Sequence, residues 1–246
     1  IKAAGITPIC MGGKDKWPVH FVWTHLHIRN GGKGLFLESL NNGGWDRPEY
    51  IRSGEQMLEL VELEPFQKGW LAATWPDQAG FFGDGKCAMA FMGNWMYGAQ
   101  ASNSASGEGL ADANMGMFNM PMTSGGMGDS GDTLGGINGW LFSSTASDAA
   151  VELMMHYVSL DIQKEDASNG AYIPIVKGAD GSLTNPFLQQ VAKNISNSEY
   201  HQIFYDQFLG ADIGRVVNDV STDLAAGIIS AEEATQAVQE AWEFNQ

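Results

Sequence analysis

From Lys86 to Met92 the chain reads Lys-Cys-Ala-Met-Ala-Phe-Met, a nearly unbroken apolar run between Gly83-Asp84-Gly85 and Gly93-Asn94. A strand with one wet face alternates polar and apolar side chains. One without that alternation is covered on both faces and needs other layers to cover it. The rest of the chain offers helices for the purpose. Asp46-Arg47-Pro48-Glu49 reads as a cap, an early proline and a first-turn carboxylate. The helix it opens carries Ile51, Leu58 and Val61 and stops before Pro65. Ser147-Asp148 opens another, with Val151, Met154, Met155 and Val158 at helical spacing, and Asn185-Pro186 a third. Asp212 precedes a stripe of Ile213, Val216, Val217, Val220 and Leu224 that ends at Gly227, and Ser230 to Glu233 form a capping box for a last helix with Val238 and Trp242. Thr74 to Phe82 also reads as helix. Met115 to Met120 and Gly139 to Phe142 are the other candidate strands. Short buried strands among long amphipathic helices predict an α/β fold. Pro121 to Gly136 is Gly-rich with no apolar period and predicts a surface loop.

The 246 residues suit one large domain or two small ones. With 44% hydrophobic and 17% charged residues the chain can pack a core, and no apolar run approaches the roughly 20 residues of a membrane span. A net charge of −16 repels phosphate backbones and anionic lipid, which sets nucleic acids and membrane surfaces aside and leaves neutral ligands unaffected. Cys10 and Cys87 are the only cysteines; the usual burial of free thiols favours two small buried hydrophobes over a disulfide. Ile1-Lys2-Ala3-Ala4-Gly5 is neither an initiator methionine nor a signal peptide, so a segment upstream is expected.

Most motifs that suggest chemistry fail in context. Gly80 to Lys86 matches a phosphate loop, but a helix precedes it, a strand follows it, and Cys87 stands where a magnesium-binding hydroxyl belongs. Gly126-Met127-Gly128-Asp129-Ser130-Gly131 matches a dinucleotide fingerprint inside the long loop, with an Asp where pyrophosphate would lie. Gly128-Asp129-Ser130-Gly131-Asp132 lacks the last glycine of a nucleophile elbow, and His20, His25, His27, His156 and His201 include no metal-binding pair. These readings predict no metal, no cofactor and no catalytic residue.

The eight tryptophans remain. Trp23, Trp70 and Trp242 lie on helical stretches and are expected to pack. Trp95 follows Gly93-Asn94 straight after the buried strand, where Asn94 is placed to cap a new helix. The carboxyl end of a strand in an α/β fold faces the ligand crevice, and an indole there presents a flat apolar face to the C–H side of a sugar ring.

Phe82-Gly83-Asp84-Gly85-Lys86-Cys87-Ala88-Met89-Ala90-Phe91-Met92-Gly93-Asn94-Trp95 resembles the glycine-lysine, alanine-methionine, glycine-x-tryptophan signature of extracellular solute-binding proteins of the maltose-binding type (family 1). Four more stretches fit in order. Ala3 to Ile9 with Gly12 to Pro18 resembles the entry to the second lobe's ligand face, and Gly135 to Trp140 the crossing back to the first lobe. Gly170 to Pro174 resembles the return crossing, and Asn218 to Gly227 with Ser230 to Ala241 the terminal helix pair.

The resemblance implies a two-lobed, periplasmic-binding-protein type II-like α/β fold with most of the first lobe absent. Residues 1–135 and 175–246 are expected in the second lobe, and 138–173 as an excursion belonging to the first. It implies a periplasmic or extracellular protein that binds a sugar or oligosaccharide between lobes and delivers it to the permease subunits of an ABC importer. Trp95 is the expected stacking platform, followed by Trp17 and Trp75. Asn94, Asn138 and the backbone at Gly136 are expected hydrogen bonders, with Tyr172 closing from the return crossing; Asn138 and Tyr172 fit hinge roles equally well. A carbohydrate-active enzyme, or the same fold holding a polyamine or peptide, stand as alternatives. With part of its cleft missing and the apolar stripe from Val151 to Val158 uncovered, the chain is also expected to bind sugar poorly and to self-associate.

Overall fold

The computed structural model describes residues 1–170 and 172–246. They form two compact units, one from Ile1–Gly136 with Ser198–Gln246 and one from Ile137–Asn197.

The larger unit begins with strand β1 (Thr7–Cys10), helix α1 (Trp17–Asn42), helix α2 (Pro48–Glu62), helix α3 (Trp75–Gly83), strand β2 (Cys87–Ala90) and helix α4 (Met96–Ser102). After strand β3 (Thr133–Gly135) the chain leaves for the smaller unit, which holds helices α5 (Asp148–Tyr157), α6 (Leu160–Ser168) and α7 (Pro186–Asn197). It returns as strand β4 (His201–Ile203), the single turn α8 (Tyr205–Phe208), and helices α9 (Ala211–Ala225) and α10 (Ala231–Phe244). β1 pairs with β2 in parallel, and β3 with β4 in parallel with Thr133 opposite His201 and Gly135 opposite Ile203.

The helix starts follow their chemistry. Thr74 with Asp77 and Ser230 with Glu233 form reciprocal capping boxes for α3 and α10, and Ser147 accepts from the Ala150 N–H of α5. Asn185 Oδ1 accepts from the N–H groups of Phe187 and Leu188 at the start of α7. α9 buries Ile213, Val217, Val220 and Leu224 in the core, beside Trp23, Trp45, Tyr50 and Met57. Each such side chain contributes about 1.5–3 kcal/mol by leaving water.

Two expectations are corrected and a third is sharpened. Met115–Met120 and Gly139–Phe142 form no strands; Phe118 and Leu141 point into solvent, where no neighbouring strand offers hydrogen bonds. Cys10 and Cys87 are not free thiols but a disulfide, buried where β1 and β2 lie side by side. The Gly-rich stretch lies at the surface as expected, but it is anchored, and Thr133–Gly135 at its end form β3. The buried Arg29 of α1 donates to the carbonyls of Met120 (2.9 Å), Asp129 (2.9 Å) and Asp132 (3.0 Å). The glycines are explained there by contact: a Cβ on Gly126 or Gly128 would collide with the carbonyls of Arg29 or Ile28.

The smaller unit has a modest core of Ala167, Leu183 and Leu188, with Ile173 and Ala192 against it. Leu188 belongs to α7, so that helix lies in this unit, which ends at Asn197. On α5, Val151, Leu153 and Met155 are exposed.

Candidate ligand-binding site

The site starts at the corner between β1 and α1. Gly12 N–H donates to Gln78 Oε1 (2.8 Å) and Lys14 N–H to the Ala73 carbonyl (3.0 Å). Gly12 and Gly13 lie so close to Thr74 and Trp70 that a Cβ on either would overlap them. Asp15 Oδ2 then accepts from the Trp75 N–H at 2.6 Å, capping the first turn of α3. Lys16 turns the chain into α1 with φ 63° and ψ −48°, a region that costs a side-chain-bearing residue about 1–3 kcal/mol. Its Nζ lies 2.6 Å from Asp219 Oδ1 on α9, and Arg215 holds the other oxygen of that carboxylate at 3.2 Å.

The next residue, Trp17, enters an aromatic cluster. Its ring centroid is 5.2 Å from Phe21, 5.5 Å from Trp75 and 6.4 Å from Trp95. Phe21 stacks on Phe204 at 4.1 Å and 11°, and Trp95 stands edge-on to both, 6.1 and 6.2 Å away. Five rings therefore converge from four places: the first turns of α1 and α3, the segment after β2, and the junction of β4 with α8. Phe21 and Phe204, each 5% exposed, form a buried floor; Trp17 and Trp75 are half-buried and Trp95 is 36% exposed. A buried floor with three partly exposed indoles offers apolar faces for C–H-rich surfaces at more than one angle.

Beneath the floor His20 is buried, with Nε2 3.6 Å from Asp206 Oδ1. Burial lowers its pKa to about 4 against the opposing pull of Asp206, so the ring is neutral at neutral pH.

Of the residues singled out in the sequence, Trp17, Trp75 and Trp95 come together. Asn94 is half-buried beside Trp95 but does not cap α4; its carbonyl accepts from the Tyr97 N–H, because the helical turn already includes Trp95. Gly136 closes the larger unit against the ring of Phe204, where a Cβ would stand 2.9 Å away. Asn138 and Tyr172 belong to the smaller unit, where Asn138 is exposed. The Tyr172 hydroxyl donates to Asp166 Oδ2 and accepts from Gln163 Nε2, both at 2.6 Å. Trp23 is fully buried, and Trp70 and Trp242 pack on the same core. Sequence reasoning missed Phe21 and Phe204. Phe21 was within reach, four residues after Trp17 on one helix face; Phe204 has no local signal. Among the described residues, no three His, Cys, Asp or Glu side chains are grouped to hold a metal.

Comparison with known proteins gives this geometry its class. The family description "bacterial extracellular solute-binding protein" matches residues 1–165, and the chain belongs to that family. An uncharacterized ABC transporter extracellular-binding protein of Pyrococcus horikoshii is 26% identical over 99 residues, 40% of this chain and 22% of the relative. Among solved structures, a protein from work on xylan utilization by the thermophilic bacterium Caldanaerobius polysaccharolyticus superposes with a TM-score of 0.82 at 22% identity, covering 97% of this chain and 62% of its own. A chitin oligosaccharide binding protein superposes with a TM-score of 0.80 at 21% identity, covering 99% and 61%. The fold is thus that of the solute-binding proteins, and the chain spans about three-fifths of the length of these two solved relatives.

Proposed function

We propose that this chain contributes the tryptophan-lined wall of a sugar-binding site in an extracytoplasmic receptor that feeds an ABC importer. The observation that carries this reading is the convergence of Trp17, Trp75 and Trp95 on a buried aromatic floor, with Trp95 the most exposed of the three. Sugar rings present alternating C–H faces and hydroxyl edges; indoles take the faces and neighbouring amides the edges. Asn94 and the backbone at Gly136 supply polar groups beside the indoles. By the family resemblance, Asn138 and Tyr172 are proposed for ligand contact or for hinge roles. The family match and the chitin oligosaccharide binding relative support a carbohydrate over a polyamine or peptide.

The protein binds and releases its sugar unchanged, outside the cytoplasm, and passes it to membrane permease subunits. The exposed apolar side chains of α5 promote self-association of the chain as it stands.

Titration calorimetry against chitin oligosaccharides, xylo-oligosaccharides, maltose and raffinose tests the reading. At least one should bind, and Trp95→Ala should weaken it by about 1–3 kcal/mol, the scale of a lost aromatic anchor. Unchanged affinity in that variant would remove Trp95 from the site. Turnover of nitrophenyl glycosides that follows the protein through successive columns would replace the receptor by an enzyme.

A further inference from the structure

We propose that Lys16 is a positioning residue for the aromatic site: its strained backbone, locked by the ion pair with Asp219, sets the ring of Trp17 against Trp75. Glycine would adopt φ 63° freely, and two glycines already stand just upstream, yet the residue at the corner is a lysine. What the lysine adds is a side chain whose ammonium reaches Asp219 Oδ1 at 2.6 Å, across 203 residues of sequence. That carboxylate is steadied by Arg215, one turn earlier on α9. On the other side of the corner, Asp15 Oδ2 holds the Trp75 N–H at 2.6 Å. Adjacent residues thus tie the corner to two different helices, Asp15 to α3 and Lys16 to α9. Trp17 is the very next residue, the first of α1. A backbone held in a sparsely populated conformation persists only while its surroundings impose it. Releasing the ammonium lets Lys16 relax, and the direction in which α1 launches Trp17 changes with it. The strain serves preorganisation of the indole pair.

The placement of the ring is a statement about the free protein; its effect on ligand affinity rests on the sugar-binding reading. Two indoles 5.5 Å apart couple their transitions, so the pair should give an exciton couplet in far-ultraviolet circular dichroism without any ligand. The contribution of Trp17 is the difference between the unmodified chain and Trp17→Phe. Lys16→Gly, which relieves the strain, should melt no lower than the unmodified chain yet lose at least about half of that difference. Asp219→Asn, which leaves Lys16 in place and removes the ion pair, should lose a similar share. Both should weaken binding of whichever oligosaccharide the chain takes up by about threefold or more. A full couplet in both variants, or no contribution from Trp17 at all, overturns the proposal. So does a lower melting temperature of Lys16→Gly with the couplet intact, since the lysine would then only support the fold. If no sugar binds the unmodified chain, the sugar reading fails by itself and the couplet still decides the role of Lys16.

Discussion

Single residues here take their roles from what surrounds them more than from their type. His20 and His27 read from sequence as ordinary structural histidines, and both are buried neutral. Burial lowers their pKa values to about 4 and about 3, against the ordinary 6.5. The unfolded chain therefore binds more protons than the folded one below pH 6.5. Stability from these rings is full above that value and drains as pH falls toward 4 and 3. Melting temperatures followed from pH 7 to pH 4.5 should fall steadily, and His27→Gln should flatten the slope; a flat profile in the unmodified chain would mean the rings are not buried neutral. Trp95 was legible because a strand signal located it; Phe204 was not, because its position depends on a crossing near the other end of the chain.

At the level of elements, helices announced themselves and strands largely did not. Caps, first-turn acids and apolar stripes act within a few residues, so α2, α3, α5, α7, α9 and α10 are written locally. β1, β3 and β4 are three or four residues long and mix Thr, Pro, His and Gln with apolar residues. They exist because a neighbour at a distance completes their hydrogen bonds. Arg29 shows the same limit, since nothing in its flanks says that it will grip carbonyls about a hundred residues away. Arg29→Met strands those carbonyls and should cost at least about 3 kcal/mol in urea unfolding. Hydrogen exchange should rise between residues 120 and 132. An unchanged midpoint would mean water replaces the guanidinium without penalty. The disulfide was misread because burial suits a free thiol and a bridged one equally. Reduction should lower stability by about 4–5 kcal/mol, the loop-entropy value for a sequence separation of 77; thiol titration in denaturant should find no free sulfhydryl before it.

For the molecule as a whole, the two units differ in how much they can hide. The larger one closes a single core over α1, α2, α9 and α10. The smaller one leaves Trp140, Leu141, Leu153 and Met155 largely in water, at 65%, 100%, 61% and 65% exposure. Exposed apolar side chains of that size favour association. Light scattering should show mass rising with concentration, and Leu153→Glu with Met155→Lys should return the chain to monomer. A monomer at every concentration would mean the face is not sticky. Within the smaller unit α7 attaches through Leu188 to Ala167 and Leu183, a contact that no local sequence signal announces.

The long span between Lys16 and Asp219 also has a meaning in time. A chain emerging from the ribosome presents the corner and Trp17 long before α9 exists. Until Asp219 arrives, Lys16 lacks the ion-pair partner it has in the fold. Under the role proposed for Lys16, Trp17 and Trp75 take up their final spacing only after α9 has been made.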